Sequence, residues 1–329
     1  MPPAWTTGVV VGKFNPPHLG HVYLIQQASH RVERLYVILC DRQDQTLSAA
    51  QRREWLLDAT PSNVRVLVTP DDLPPSNEPW ARRALEILPE PPDVAFTSED
   101  WGQGWAELMG AEHVLVDRHR NAFPISGTAL RSDLGREFAW LVPAARQALA
   151  RRVVLVGAES TGKTTMAEAL AQLLKTVWVP EHGRWYWEGR RHLEDQSWST
   201  DELRRIAVAQ VRLEEDLARR ATNGIVVADT DALVTAVWHE RYLGTQDPVL
   251  ERMATERPPA LYLICSPDFP WIQDGTRESE QHRAKMHEST VARIQALGAK
   301  MGLLTGSHEQ RLSTAMNHVM PLTQFPLLV

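Results

Sequence analysis

The sequence predicts an α/β protein of two domains, each built on a parallel sheet with helices on both faces. Three observations support this prediction. The chain has 329 residues, which is long for a single domain. Short apolar runs alternate with helical segments along both halves of the chain. Residues 136–150 contain no strand-like run, so we expect one domain at residues 1–145 and a second at 146–329.

The elements of the first domain follow from short apolar runs and the segments between them. The runs predict strands at 8–11, 34–39, 64–68, 94–97 and 113–116. The intervening segments predict helices at 19–29, 49–58, 80–88 and 101–109. Residues 70–79 contain four prolines and several acidic residues, and they predict a loop.

A second series of the same kind fills the rest of the chain. Its strands are predicted at 153–156, 177–179, 225–228, 261–264 and 302–305. Ser199 and Glu202 have the spacing of a capping box, which opens a helix. Apolar residues form one stripe along that helix, interrupted by Gln210, and we interpret the stripe as core rather than as a cofactor contact.

Composition excludes several classes of protein. Hydrophobic residues make up 43% and charged residues 23%, as in ordinary globular domains. A net charge of −6 argues against nucleic acid as the main partner. The two cysteines are too few for a disulfide framework and are interpreted as buried thiols. No apolar run is long enough to span a membrane and no signal region is evident, so we expect a cytoplasmic protein with no membrane partner. The sequence leaves a homo-oligomer open.

The second domain opens with a complete phosphate-binding loop. The pattern G-x-x-x-x-G-K-[ST] at residues 157–164 follows an apolar run and precedes a helix-forming segment. In such loops, backbone N–H groups face the phosphates and the helix adds its positive N-terminal end. Lys163 would reach the β- and γ-phosphates of ATP, and Thr164 would contribute a hydroxyl to Mg²⁺. The predicted nucleotide contacts are Gly157, Glu159, Ser160, Thr161, Gly162, Lys163, Thr164 and Thr165.

Phosphoryl transfer to a hydroxyl also needs a base, a Mg²⁺ anchor and positive charge. Carboxylates occur where two later strands end: Glu181 after the second, and Asp229 and Asp231 after the third. We expect Asp229 to help hold Mg²⁺, and Asp229 and Asp231 to contact substrate, while the base stays open among the three. Arg184, Asp274 and Arg277 are further predicted substrate contacts. The last two lie on a polar segment, with Arg283 beyond it, that we interpret as a lid.

The first domain carries a different signature at its first strand-to-helix turn. Residues 12–21 read GKFNPPHLGH, which places His18 and His21 on one helix face. The pair could hold a metal, but a third ligand is missing, and it could also be an ordinary turn. The favoured interpretation pairs it with the segment ISGTALR at 125–131, where Ser126, Thr128 and Arg131 would bind a triphosphate. This set fits attack on the α-phosphate of a nucleotide with pyrophosphate leaving, because positioning and charge suffice.

At these residues the chain resembles the HxGH nucleotidylyltransferases, and more closely the bifunctional nicotinamide-nucleotide adenylyltransferase/ribosylnicotinamide kinase (NadR-type) family. The resemblance rests on both motifs and on the segments TSEDWG at 97–102, VDRHRNAFPISGT at 116–128, PEHGR at 180–184 and PWIQDGTR at 270–277. It implies a Rossmann-like nucleotidylyltransferase fold followed by a P-loop kinase fold. Some members carry a helix-turn-helix domain, and we expect none here, because the first strand begins by residue 8.

The family implies two ATP-dependent reactions that require Mg²⁺. The second domain would phosphorylate nicotinamide riboside, and the first would adenylylate the resulting nicotinamide mononucleotide to NAD. Carried onto this sequence, the predicted contacts of the first domain are Gly12, Lys13, Phe14, His18, Gly20, His21, Ser126, Thr128 and Arg131, and Glu181 holds the position of a base-like glutamate. Trp101 is the predicted stacking partner of the nicotinamide ring. Two alternatives stay open: a phosphopantetheine adenylyltransferase/dephospho-coenzyme A kinase fusion, and a nucleotide-sensing regulator with weak turnover.

Overall fold

The computed structural model describes residues 3–268 and 280–329. The chain divides into two compact units. The first contains residues 1–148 together with 325–329, and the second contains residues 149–324. The chain therefore returns to the first unit after the second is complete.

The first unit is a parallel sheet with helices in the connections. Its strands are β1 (Trp5–Gly12), β2 (Val32–Asp41), β3 (Val64–Pro70), β4 (Val94–Thr97) and β5 (Glu112–Leu115), in the order β3-β2-β1-β4-β5. Its helices are α1 (Leu19–Ser29), α2 (Ala49–Ala59), α3 (Asn77–Ile87), α4 (Gly102–Met109), α5 (Gly127–Ser132), α6 (Leu134–Glu137) and α7 (Pro143–Leu149). The strand predictions are confirmed. The predicted loop at 70–79 is shorter than expected, because α3 already begins at Asn77.

The order of the strands creates a crevice beside β1. This strand lies between β2 and β4 and pairs in parallel with both. The chain leaves β1 toward β2 and leaves β4 toward β5, in opposite directions along the sheet. The carboxyl ends of β1 and β4 therefore flank an opening, and open α/β sheets bind ligands at such openings. Residues Val9 and Val10 of β1 are fully buried, as expected for a strand covered on both faces.

The second unit repeats this plan with a different strand order. Its strands are β6 (Arg151–Val156), β7 (Val177–Val179), β8 (Ile225–Asp229), β9 (Leu261–Cys265) and β10 (Met301–Leu304), in the parallel order β10-β9-β6-β8-β7. Its helices are α8 (Lys163–Leu174), α9 (His182–Arg190), α10 (Thr200–Ala218), α11 (Ala232–Leu243), α12 (Pro248–Glu256), α13 (Glu280–Ala296) and α14 (His308–Val319). The phosphate-binding loop leaves the central strand β6, and β8 ends beside it at Asp229.

The helix α10 confirms one local prediction and corrects another. Ser199 and Glu202 form the capping box, with the Ser199 side chain accepting from the N–H of Glu202. The buried face is not purely apolar, because Gln210 and Glu214 are buried between Ile206 and Ala218. Gln210 is buried because its side-chain oxygen accepts from the N–H of His182 at 2.8 Å.

Two further expectations concern thiols and membranes. Cys40 and Cys265 are both buried and unpaired by a disulfide. Burial raises the pKa of Cys40 to about 12 and that of Cys265 to about 11, which makes both thiols weak nucleophiles. Within residues 3–268 and 280–329, no helix combines the length and apolar character that crossing a bilayer requires.

Candidate active sites

Two histidines at the start of α1 form a stacked pair. His18 is the N-cap residue of α1, and His21 lies one turn further along. The backbone N–H of each donates to Nδ1 of the other, both at 3.3 Å. The ring centroids are 3.5 Å apart and the ring planes differ by 22°. The motif therefore folds into a capping box that is made by two imidazoles.

The hydrogen bonds and the burial of the pair decide its protonation. Because each Nδ1 accepts from a backbone N–H, we assign the proton of each neutral ring to Nε2. Burial, reinforced by the charge of Arg120, lowers the pKa of His18 to about 3. Burial, with smaller effects of His18, Arg120 and Arg131, also lowers the pKa of His21 well below its ordinary value. Both rings are neutral at pH 7, and each has one Nε2–H group to offer to a phosphate.

Gly20 and Phe14 determine how the two rings are oriented. A Cβ atom on Gly20 would lie 3.1 Å from Nδ1 of His18, so glycine permits the close approach of this ring to the helix backbone. Phe14 is buried and adopts a positive φ of 46° where the chain leaves β1. Its ring stands edge-on to His21, with the centroids 4.9 Å apart. Gly20 therefore leaves room for the ring of His18, and Phe14 packs against the ring of His21.

The second predicted motif lies against the first. Ser126 caps α5 by accepting from the N–H of Ala129 at 3.1 Å. The guanidinium of Arg131 donates to the backbone oxygen of Asn15 at 2.8 Å and to the hydroxyl of Thr128 at 3.2 Å. Arg131 thus joins the α5 segment to the loop that carries the histidines. The hydroxyls of Ser126 and Thr128 and the guanidinium of Arg131 thus lie in the same cavity as the neutral histidine pair.

These side chains line one cavity of about 780 Å³ at the carboxyl ends of β1 and β4. This volume suits a small-molecule ligand. The predicted residues on its walls are Gly12, Lys13, Phe14, His18, Gly20, His21, Trp101, Ser126, Thr128 and Arg131. Lys13 is half-exposed and pairs with Asp71 at 2.8 Å. Trp101 is 43% exposed, so one face of its ring is accessible to a ligand.

Several residues of this site were missed by sequence reasoning. Arg120 and Trp80 line the cavity, but neither belongs to the residues that the two motifs single out. Arg52 is fully buried behind the site, where its guanidinium donates to the backbone oxygen of Lys13 at 2.6 Å and pairs with Asp41. The only sequence signal for Arg120 was its place within the 116–128 segment.

The phosphate-binding loop of the second unit has the conformation that its sequence predicts. Gly157 and Gly162 both adopt positive φ values, 140° and 81°. A Cβ atom on Gly157 would lie 2.6 Å from the backbone oxygen of Cys265, so no other residue fits there. Inside the loop, Lys163 Nζ donates to the backbone oxygen of Ala158 at 3.0 Å, and the Thr161 hydroxyl donates to the same oxygen at 2.8 Å. Ala158 thus holds Lys163 folded over the loop.

A carboxylate meets the end of this loop where β8 ends. Asp229 is fully buried, and its Oδ2 accepts from the hydroxyl of Thr164 at 2.5 Å. Its Oδ1 is buried without a hydrogen-bond partner among the described residues. Burial raises the pKa of Asp229, and the positive charge of Lys163 opposes that rise. A buried carboxylate oxygen without a partner, beside a threonine hydroxyl, is a suitable pair of ligands for Mg²⁺.

Glu181 lies close enough to this pair to interact with it electrostatically. It is the N-cap residue of α9, yet its side chain makes no capping hydrogen bond. Burial raises its pKa, an effect that Lys163 opposes and Asp229 reinforces. Arg184, an exposed residue of α9, lowers the pKa of both carboxyls. The structure thus gathers Lys163, Asp229, Glu181 and Arg184 in one electrostatic cluster.

Asp231 was predicted at this site, but the structure uses it elsewhere. Its Oδ1 accepts from the N–H groups of Leu233 and Val234 at the start of α11, and its Oδ2 accepts from the hydroxyl of Tyr262 at 2.7 Å. Both oxygens are therefore engaged in a buried position. We correct the prediction, because a carboxylate that caps a helix inside the core has no oxygen left for substrate.

The remaining predicted residues of the second unit fall into two groups. Glu159, Ser160 and Thr165 lie on or next to the loop, and Thr165 is exposed in the first turn of α8. The predictions for Asp274 and Arg277, and with them the predicted lid, lie outside the described residues.

Two arginines behind the phosphate-binding loop were not predicted as its supports. Arg283 donates to the backbone oxygen of Ser160 at 3.3 Å, and Arg311 donates to that of Thr161 at 3.0 Å. Arg311 is 1% exposed, and it also donates to the backbone oxygens of Ser266 and Gly306 and pairs with Asp268. Neither arginine could be predicted from the sequence as a support of the loop, because charged residues are rarely buried and an arginine is therefore expected at the surface.

An aromatic cluster in the second unit was also missed. The ring of Tyr242 stacks on Trp198 at 5.5 Å and on Trp238 at 5.1 Å. Burial raises the pKa of Tyr242, and the nearby carboxylates of Glu159 and Glu181 reinforce that rise, so this ring lies near the candidate base. The spacing of these rings along the chain gave no pattern from which to predict the cluster.

Comparison with known proteins found a family match for each unit and relatives that span most of the chain. Residues 9–133 match the family described as cytidylyltransferase-like, and residues 152–311 match the family described as an AAA domain. The chain is 28% identical to the trifunctional NAD biosynthesis/regulator protein NadR of Escherichia coli (strain K12), over 83% of this chain and 72% of that protein. It is also 28% identical to the protein of the same name from Salmonella typhimurium, over 82% and 71%.

Two solved structures share the fold. One is a NadR protein in complex with NR, with a TM-score of 0.72 and 21% identity over 97% of this chain and 96% of that one. The other is a NadR protein in complex with NAD and AMP-PNP, with a TM-score of 0.69, 22% identity and the same coverage. At this level of identity, the likeness shows that the α/β units of this chain have the same fold as those of the two NadR structures.

Proposed function

We propose that this chain, a homologue of the NadR proteins, is a bifunctional enzyme that makes NAD from nicotinamide riboside in two ATP-dependent steps. In the second unit, the 5′-hydroxyl of nicotinamide riboside takes the γ-phosphoryl group of ATP and gives nicotinamide mononucleotide. In the first unit, the phosphate of the mononucleotide attacks the α-phosphorus of a second ATP. The products of that step are NAD and pyrophosphate.

One observation carries this proposal: a single chain joins two phosphate-handling sites of different chemistry. The histidine pair lies in a cavity with Ser126 and Arg131, which suits transfer of a nucleotidyl group. The Lys163 loop lies beside two buried carboxyls, which suits transfer of a phosphoryl group to a hydroxyl. The similarity to NadR proteins over 83% of the chain supports nicotinamide compounds as the substrates that these sites share.

In the kinase unit, we assign the role of base to Glu181. It accepts the proton of the 5′-hydroxyl as the oxygen attacks the γ-phosphorus, and the bond from that phosphorus to ADP breaks. The positive charge of Lys163 stabilises the negative charge on the transferred phosphoryl group. Glu181 is the better base because its side chain makes no capping hydrogen bond, whereas Asp229 already accepts from Thr164.

Thr164 and Asp229 are the residues that would hold Mg²⁺ in this unit. The partnerless Oδ1 of Asp229 and the adjacent hydroxyl of Thr164 fit the oxygen ligands that this ion prefers. When bound, Mg²⁺ would supply positive charge that offsets the negative charge of the ATP phosphates. Among the described residues, no group of three or more His, Cys, Asp or Glu side chains is arranged to hold a metal ion, so Thr164 and Asp229 alone would not complete a protein-only site.

In the adenylyltransferase unit, the protein supplies position and hydrogen bonds rather than a nucleophile. The mononucleotide phosphate is already anionic, so its oxygen forms the new bond to the α-phosphorus as the bond to pyrophosphate breaks. The two Nε2–H groups of His18 and His21 donate to the phosphate oxygens on which charge develops. Arg131 and Lys13 add positive charge at the same cavity.

The test is a coupled assay of the purified chain with ATP, Mg²⁺ and nicotinamide riboside. Nicotinamide mononucleotide and NAD are followed together by chromatography. We expect the mononucleotide to appear first and then to convert to NAD, with pyrophosphate released in proportion to NAD.

Two controls separate the sites and the substrates. Adding mononucleotide directly tests the first unit alone, and adding phosphopantetheine tests whether the pair of sites serves another substrate. Turnover of phosphopantetheine, with neither riboside nor mononucleotide consumed, would overturn the nicotinamide assignment.

A further inference from the structure

The segment Phe325–Val329 packs into the first unit although it follows the whole second unit in sequence. We refer to these five residues as the strap. It forms no regular element, and no step of the chemistry described above uses it. Its contacts nevertheless reach both motifs of the adenylyltransferase site.

The strap is hydrogen-bonded to the two motifs directly. The side-chain Nδ2 of Asn15 donates to the backbone oxygen of Val329 at 2.8 Å. The N–H of Leu328 donates to the backbone oxygen of Arg131 at 3.3 Å. Asn15 lies three residues before His18 and is 3% exposed, so its amide is buried in this arrangement. The strap therefore contacts the histidine loop and α5 at once.

A third contact ties the strap to the loop that precedes α2. The N–H of Val329 donates to the hydroxyl oxygen of Thr46 at 3.1 Å, and the N–H of Thr46 donates to the backbone oxygen of Val329 at 3.3 Å. One of these bonds is backbone to backbone and the other uses the Thr46 side chain. They fix the end of the strap against a part of the unit outside both motifs.

Apolar side chains anchor the strap at both ends. The ring of Phe325 lies 5.6 Å from the ring of Phe138, which is fully buried. Leu328 is 9% exposed, whereas its neighbour Leu327 is 72% exposed. The burial of Leu328 and the partial burial of Phe325 offset the entropy lost by ordering the segment. Leu327 gains nothing from the contact and offers a matched control.

Together these contacts close a ring across the triphosphate site. Arg131 donates to the backbone oxygen of Asn15, Asn15 donates to Val329, and the next residue back, Leu328, donates to Arg131. Two motifs that are more than a hundred residues apart in sequence are thus held in one register by a third segment. Adenylyl transfer joins two anionic substrates, so its rate depends on how accurately the two motifs are positioned. A displacement of about 1 Å costs about a hundredfold in rate.

We propose that the strap is a positioning element of the adenylyltransferase site, which holds the histidine loop and Arg131 in the arrangement that binds the triphosphate of ATP. The inference rests on the proposed function for the identity of the reaction, but ATP binding tests it independently. It also means that the first 148 residues do not contain the whole adenylyltransferase site.

The experiment compares Leu328→Ser with the matched control Leu327→Ser in the full chain, and adds a chain that ends at Gln324. We expect Leu328→Ser and the shortened chain to lower kcat/KM for ATP in adenylyl transfer by about tenfold to a hundredfold. Leu327→Ser and the conservative Leu328→Met should stay within about twofold of the parent protein. Kinase activity, measured in the same preparations, should be unchanged in all of them.

A second measurement tests the proposal without assuming the nicotinamide substrate and without relying on Leu328→Ser to fold. In a Lys163→Ala background, calorimetry measures ATP binding to the first unit, and we expect Leu328→Ser to weaken it by about tenfold. Thr46→Val removes one hydrogen bond of the strap and leaves its apolar contacts in place. The ATP affinity of this variant therefore tests the proposal if Leu328→Ser fails to fold. A shift in the KM for ATP with an unchanged melting temperature supports positioning. Unchanged ATP affinity in Thr46→Val and in the shortened chain would overturn the proposal.

Discussion

Replacing Glu214 by glutamine should change how the stability of the second unit depends on pH. Glu214 lies on α10 with its side chain 1% exposed, and its Oε2 accepts from Arg152 at 2.5 Å. Its other oxygen is buried without a hydrogen-bond partner among the described residues. Burial raises the pKa of Glu214 to about 7, an effect that Arg152 opposes and Asp231 reinforces. The carboxyl therefore titrates near neutral pH in the folded protein.

The sign and size of the effect follow from linkage. The pKa is 4.5 in the unfolded chain and about 7 in the folded one, so between these values the folded state holds a proton that the unfolded state has lost. The free energy of unfolding consequently falls as pH rises through this window and levels off above it. One pKa unit is worth about 1.4 kcal/mol, which gives a total change of about 3 kcal/mol. Glutamine has nearly the same shape and does not titrate, so Glu214→Gln should lose this dependence.

The assay is hydrogen exchange, because it measures the stability of each unit separately. The opening free energy of peptides from β6 and β9 is measured at pH 5, 6, 7 and 8 in the parent protein and in Glu214→Gln. Between pH 5 and 8, the free energy of unfolding of the parent protein should fall by about 2.5 kcal/mol relative to that of Glu214→Gln, because part of the titration lies below pH 5. Glu215→Gln removes a half-exposed carboxyl from the same helix and controls for net charge. A difference that stays constant within about 0.5 kcal/mol over this pH range would show that Glu214 does not have a raised pKa in the folded protein.

The remaining predictions concern activity. Lys163→Ala should lower kcat/KM of the riboside kinase by at least a hundredfold and leave adenylyl transfer intact, and His21→Ala should do the reverse by about the same factor. Loss of both activities in either variant would contradict the separation of the two sites. Glu181→Gln should lower kcat of the kinase with little change in KM, and because burial raises the pKa of Glu181, the parent rate should fall on acidification at a pH above the ordinary range of a carboxyl. A flat acid limb in the parent would argue against Glu181 as the base. Arg311→Lys should raise KM for ATP in the kinase reaction while adenylyl transfer stays constant, and an unchanged KM would show that Arg311 only stabilises the fold.

The strands and the loop at residues 157–164 were predictable because their signals are local. Buried parallel strands are continuous apolar runs, and the loop at Gly157 needs glycine where a Cβ atom would meet backbone. The histidine pair was predictable for the same reason, since a spacing of three on a helix fixes a shared face. Each of these inferences uses residues within one turn or one strand of each other.

The choice between Asp229 and Asp231 shows where local reasoning ends. Both follow the strand that the sequence predicts at 225–228, and residues two apart on an extended chain point to the same face, so periodicity cannot separate them. The chain turns at Thr230, which has a positive φ of 69°, and α11 begins at once. Asp231 then finds the helix N–H groups and Tyr262, and only Asp229 reaches Thr164. The distinction depends on a partner from another strand, which the sequence does not reveal.

Both units support the loop that follows the central strand with a buried arginine. Arg52 on α2 donates to the backbone oxygens of Lys13 and Cys40, and Arg311 on α14 donates to those of Thr161 and Ser266. Where a parallel strand ends, its carbonyl groups no longer have sheet partners, and a buried oxygen without a partner is destabilising. A guanidinium has five donors in one plane and stays charged, so a single side chain can serve several such oxygens. The loop N–H groups are then free to face a phosphate, because the carbonyls behind them are already hydrogen-bonded. Lysine offers only a point charge with three donors, which is why even a charge-conserving replacement should disturb nucleotide binding.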